Sequence, residues 1–110
     1  MKEASEIKPN YAPVYAAAMY PEMCKIFQAH GYALAVHGSL ARDFDVIAIP
    51  WTLGLSSQEK VIKALTERFA IQQIGEPEIK PFGRTAYTFS IGFGYCALDL
   101  SFSPKGVCEP

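Results

Sequence analysis

The stretch that most limits what this chain can become is Tyr32 to Ile49. An apolar run, Tyr32-Ala33-Leu34-Ala35-Val36-His37, breaks at Gly38-Ser39. After Leu40, Ala41 and Arg42 it returns as Asp43-Phe44-Asp45-Val46-Ile47-Ala48-Ile49. Both runs are rich in residues that suit strands, and the Gly-Ser between them is a turn signal. Two strands joined this closely imply a sheet with Asp43 and Asp45 at the start of the returning strand. Residues two apart in a strand face the same side, about 6.5–7 Å apart along the chain. Asp is a poor strand former and is seldom buried without a partner. Two readings of the pair are open. One is solvation of a strand end, where Asp is common. The other is a divalent-cation site, since Mg²⁺ prefers hard oxygen ligands and is held by one or two carboxylates plus substrate phosphates.

The flanking elements follow from periodicity. Pro13 to His30 reads as helical, with Val14, Ala18, Met23, Cys24, Ile26 and Phe27 on its apolar face. Pro21 interrupts it, giving either one kinked helix or two short ones. Gly31 fits a left-handed cap after it. His30 sits in the last turn, where a cation is favoured. Tyr32–His37 reads as a first strand covered on both faces, and Asp43–Ile49 as a second, ended by Pro50. Ser39-Leu40-Ala41-Arg42 suits a short helical turn whose amides form an anion-binding concavity; an ordinary Gly-Ser turn is the plainer alternative. Trp51 is expected to cover the sheet edge. Ser56-Ser57-Gln58-Glu59 has capping-box form, so a helix is expected over 57–70 with Val61, Ile62, Leu65 and Phe69 inward and Lys60, Lys63, Glu67 and Arg68 in water. Ile71–Ile74 is a short strand, 75–83 a loop, and Thr85–Ile91 with Tyr95–Phe102 a hairpin turning at Gly92-Phe93-Gly94. Asp99 is the second anomaly: a lone carboxylate between Leu98 and Leu100. It belongs either to an edge strand with one face in water or to a site shared with Asp43 and Asp45.

Length and charge narrow the class. At 110 residues a single domain spanning 1–110 is expected, with 1–12 and 104–110 as flexible tails. Half the residues are hydrophobic, enough for a core, and the formal net charge is −1. No basic cluster indicates a nucleic-acid partner. No apolar stretch reaches the ~18 residues of a membrane span. The polar start leads into no signal-type segment, so a cytoplasmic protein is expected. Three cysteines, Cys24, Cys96 and Cys108, are odd in number and lack metal-site spacing. Cys24 and Cys96 read as small core residues and Cys108 as loose. The two histidines, His30 and His37, are too few for a histidine-based metal site, and His37 reads as structural.

The order helix, strand, Gly-Ser, strand with Asp-x-Asp, helix, strand with one Asp resembles the nucleotidyltransferase (polymerase β-like) superfamily, in particular its minimal single-domain members. The residues carrying the resemblance are His37-Gly38-Ser39, Asp43-Phe44-Asp45-Val46 and Leu98-Asp99-Leu100. Residues 32–45 also resemble small phage or prophage proteins. The resemblance implies an α+β fold with a mixed sheet packed against helices. It implies that Asp43, Asp45 and Asp99 are catalytic and bind Mg²⁺, and that Gly38 and Ser39 hold the phosphates of a nucleoside triphosphate. The implied reaction transfers a nucleotidyl group to an acceptor hydroxyl. One departure is visible. Only Leu40, Ala41 and Arg42 separate Gly-Ser from the first Asp, fewer than is usual in the family. Arg42 either grips a phosphate bidentately or pairs with Asp43 or Asp45 in place of a metal. In the second case the chain is a non-catalytic accessory or interaction protein. Arg84 and Lys60 are further phosphate-binding candidates. A domain this small leaves room for a homodimer or a partner protein to supply part of a substrate site.

Overall fold

The computed structural model describes residues 10–92 and 96–104. Two helices lie on one face of a five-stranded mixed sheet, a two-layer α+β fold. The elements in chain order are α1 (Ala12–Ala29), β1 (Tyr32–His37), β2 (Phe44–Pro50), α2 (Gln58–Arg68), β3 (Ile71–Ile79), β4 (Thr85–Ile91) and β5 (Cys96–Phe102).

Helix α1 is continuous through Pro21, which is exposed. Its buried residues are Ala12, Ala16, Met19, Met23 and Phe27. Val14 and Ala18, expected inward, are exposed instead. The first half is alanine-rich and carries little directional signal, so Met23 and Phe27 set the phase for the whole helix. Residues 10–12 are no tail: Ala12 is fully buried, its amide donates to Asn10 Oδ1 at 3.1 Å, and Asn10 Nδ2 donates to Leu40 O at 2.9 Å. Residues 1–9 and 105–110, including Cys108, lie outside the described residues. Helix α1 ends with the Gly31 amide donating to Gln28 O at 3.1 Å and Gly31 at φ +93°. A Cβ there would meet Thr52 Oγ1 at 2.9 Å, so both backbone and space require glycine. His30, placed at this end, hydrogen-bonds through Nδ1 to Ser56 Oγ at 2.7 Å, tying α1 to the approach of α2.

Helix α2 starts as expected, with Ser57 Oγ accepting from the Lys60 amide at 3.2 Å. Val61 and Leu65 are fully buried, while Ile62 and Phe69 pack at the margin. Both helices share one core with Phe44, Val46, Phe89, Leu98, Leu100 and Phe102. Phe102 is its centre, with ring centroids 6.1 Å from Phe27, 5.3 Å from Tyr32 and 5.7 Å from Tyr87.

The strand order is β1-β2-β5-β4-β3, with β2 and β5 parallel and every other pair antiparallel. Because both helices take the same face, the other face is left open among the described residues. Strand β1 is therefore covered on one side only, alternating buried and half-exposed residues, against the expectation of two covered faces. Strand β3 differs more. It runs to Ile79, and Gly75 to Pro77, expected in a loop, form an irregularity between the Ile74 and Glu78 pairings. An edge strand tolerates this, since Pro77 needs no outward partner and a bulge absorbs Gly75 at φ +67°. A short 3₁₀ turn, Pro81–Gly83, then leads to β4. Trp51 is 76% exposed rather than covering the sheet edge. Among the described residues no helix is long and apolar enough to cross a membrane.

Candidate metal centre

Register builds the site. Phe44 and Val46 point into the core, which turns Asp45 to the open face. Leu98 and Leu100 do the same for Asp99 on β5. These strands are adjacent, parallel and aligned so that Asp45 stands directly opposite Asp99. Asp99 is thus on the third strand of five and not at an edge, with its side chain on the face that the two helices do not cover. Asp43 precedes β2 in the turn and is exposed. One ligand oxygen from each of Asp43, Asp45 and Asp99 lies within 4.8 Å of the others.

Carboxylates this close repel. Burial, the Asp45 carboxyl beside it and the Asp45 charge push the Asp99 carboxyl above its ordinary value; hydrogen bonds from Thr88 and toward Asp43 oppose the shift. Thr88 Oγ1 donates to Asp99 Oδ1 at 3.2 Å. Among the described residues the ion pairs are Lys63–Glu67, Arg68–Glu22 and Lys80–Glu78, and none reaches the triad. Arg42 therefore does not take a metal's place there.

The donor set is wholly carboxylate oxygen, which suits Mg²⁺, Mn²⁺ or Ca²⁺ and not a thiophilic metal. Oxygens opposite each other across one Mg²⁺ stand about 4.2 Å apart, and paired ions about 3.5–4 Å. Asp43, Asp45 and Asp99, one oxygen from each within 4.8 Å of the others, could hold such an ion.

The turn carrying Gly38, Ser39 and Arg42 has no helical segment; residues 41–43 are bends and Leu40 holds φ +57°. Leu40, in the left-handed region, interrupts any right-handed helical turn there. Gly38, at φ +80°, has a different use from the one expected. A Cβ there would stand 2.6 Å from Asp45 Oδ2, so the missing side chain is the space that Asp45 occupies. Ser39 Oγ accepts from the Ala41 amide at 3.1 Å, leaving its own proton free to donate. Arg42 is exposed at the rim.

His37 and Thr88 complete a row that the sequence did not assign. His37 pairs with Asp45 across β1–β2, and Thr88 pairs with Asp99 across β4–β5, so His37, Asp45, Asp99 and Thr88 run side by side over four strands. His37 is exposed. The signal that could have found both is hairpin register: once a turn is centred, each partner follows by counting outward. Lys60 belongs to α2, whose buried residues pack on the opposite face, so it is far from the triad. Arg84 shares a cavity with Asp45 and Asp99. Cys96 is buried, and burial raises its thiol above the ordinary value, as expected of a core residue.

Comparison of the chain with protein-family models and with curated proteins finds no match.

Proposed function

We propose that this chain is a metal-dependent nucleotidyltransferase, moving a nucleotidyl group from a nucleoside triphosphate to an acceptor hydroxyl. The observation that carries the reading is the convergence of Asp43, Asp45 and Asp99 from a turn and two adjacent parallel strands. Among the described residues no ion pair reaches the three carboxylates. Their mutual repulsion costs stability that a divalent cation would recover.

Asp43, Asp45 and Asp99 hold Mg²⁺, which when bound neutralises charge on the transferred phosphate. Gly38 keeps the Asp45 carboxylate seated, while Ser39 Oγ–H and the Arg42 guanidinium donate to the nucleotide's phosphates. A carboxylate oxygen of Asp99 left free of the metal would accept the acceptor hydroxyl's proton. The acceptor oxygen then bonds to the α-phosphorus, and pyrophosphate leaves. Positioning and charge neutralisation supply most of the acceleration.

One observation favours a second reading. The bend at residues 41–43 offers no helix N-terminus to cradle phosphates, as in a non-catalytic relative acting through protein contacts. Thermal unfolding with and without Mg²⁺ and each nucleoside triphosphate, on wild type and Asp45→Asn, separates the two. A stabilisation that Asp45→Asn abolishes supports the transferase. No stabilisation with any combination supports the non-catalytic relative.

A further inference from the structure

The open face holds a cavity of about 530 Å³, in the range of small-molecule sites. His37, Asp45, Thr88 and Asp99 line one end, and Lys80 and Arg84 the other. Lys80 and Arg84 are neighbours where β3 passes to β4, the Lys80 amide donating to Arg84 O at 2.7 Å. Lys80 Nζ is paired with Glu78 at 2.9 Å. Among the described residues the Arg84 guanidinium has no ion pair, although Glu76 and Glu78 line the same cavity. Arg84 is half-buried, and the alternation of β4 puts it on the side of Ala86 and Thr88.

Distance and direction assign its role. From Thr88, the partner of Asp99, to Arg84 is four strand steps, roughly 13 Å. That spacing separates the backbone positions, and among the described residues no ion pair joins Arg84 to the triad. The Gly38–Asp43 turn lies at the other end of β2 and β5, where these strands begin. The triad thus stands between two cationic places, Arg42 on the turn and Arg84 across the sheet.

We propose that the cavity is a two-ended substrate site in which Arg84 binds an oxyanion, phosphate or carboxylate, carried by a small-molecule acceptor. The inference rests on the transferase reading above. The nucleotide's phosphates occupy the turn and the triad, and the acceptor lies along the sheet. Its hydroxyl is toward Asp99 and its anionic group is in the guanidinium fork, a geometry Lys does not reproduce.

The test uses the full chain as wild type, Arg84→Gln, Arg84→Lys and Asp45→Asn, with two readouts. One is thermal stabilisation by Mg²⁺ with nucleoside triphosphate. The other is titration with inorganic phosphate, without divalent cation, followed at the Arg84 Nε–H resonance and by calorimetry. Wild type should give a saturable phosphate response at Arg84. Arg84→Gln should weaken phosphate at least tenfold and leave nucleotide stabilisation intact, with Arg84→Lys in between. Asp45→Asn should do the reverse. The Lys80 amide's bond to the Arg84 carbonyl is a backbone contact, and a ligand-free Tm near that of wild type checks that each variant folds. No phosphate response at Arg84, or equal binding by Arg84→Gln, overturns the proposal. So does loss of nucleotide stabilisation in Arg84→Gln, which would assign Arg84 to the nucleotide. If wild type lacks nucleotide stabilisation but Arg84 still binds phosphate, the transferase reading fails and the oxyanion site stands.

Discussion

Replacing Gly38 by Ala tests whether the triad depends on a missing side chain. The new Cβ would stand 2.6 Å from Asp45 Oδ2, and ordinary contact begins near 3.4 Å, so the carboxylate must retreat by about 0.8 Å. Functional geometry tolerates about 0.5 Å. The substitution also forces Ala to φ +80°, a strain of about 1–2 kcal/mol, partly offset by the stiffer unfolded chain, leaving about 1 kcal/mol. For this length the unfolding entropy is about 0.23 kcal/mol/K, so that cost is about 4 °C in Tm. Gly75→Ala is the control: it carries similar strain at φ +67°, with nothing within 4 Å of the added Cβ. Both variants should lose about 4 °C without metal. At 100 times its Kd, Mg²⁺ adds about 2.7 kcal/mol to wild type and, by the same conversion, about 12 °C. Gly75→Ala should keep that increment. Gly38→Ala, with metal bound at least tenfold more weakly, should lose about 1.4 kcal/mol of it, close to half. The assay is thermal unfolding over a Mg²⁺ series. Equal Mg²⁺ increments in the two variants would refute the claim that Gly38 seats Asp45.

Other perturbations address the remaining links. Asp99 binds its proton more tightly folded than unfolded, so its stabilising contribution is complete below the ordinary carboxylate pKa and is lost as pH rises through the raised value. Asp99→Asn should therefore raise metal-free stability at neutral pH and not in acid. Denaturation midpoints across pH check this, and an unchanged pH profile would contradict it. Phe102→Ala removes the ring shared by Phe27, Tyr32 and Tyr87 and should cost about 4 kcal/mol in denaturant unfolding. Ser57→Ala removes the α2 cap and should cost about 1 kcal/mol, or about 4 °C.

Local chemistry made several elements legible. Ser57 marked the start of α2, Gly31 the end of α1, and runs of apolar and strand-forming residues marked β1, β2, β4 and β5. The misses have physical causes. In α1 the alanines left the helix phase undecided until Met23 and Phe27 met the sheet. In β3, Gly75 and Pro77 read as loop because breakers are scored without knowing that the strand lies at an edge. At residues 39–42 the sequence suited a capped turn, but Leu40 takes a left-handed conformation and residues 41–43 are bends. The place of His37 beside Asp45 was not legible because it depends on strand pairing.

By itself the sequence determined the two-layer composition of the chain: two helices, a hairpin around Gly38-Ser39, and three aspartates set in strands that otherwise face a core. Only the tertiary structure decided that they form one site. Asp43 and Asp45 are 54 or more residues from Asp99, and what joins them is the parallel pairing of β2 with β5, register-locked by Phe44, Val46, Leu98 and Leu100. Shifting that register by one residue would bury a carboxylate and expose a leucine. Packing of the core thereby places the charges, although no local pattern along the chain contains their meeting.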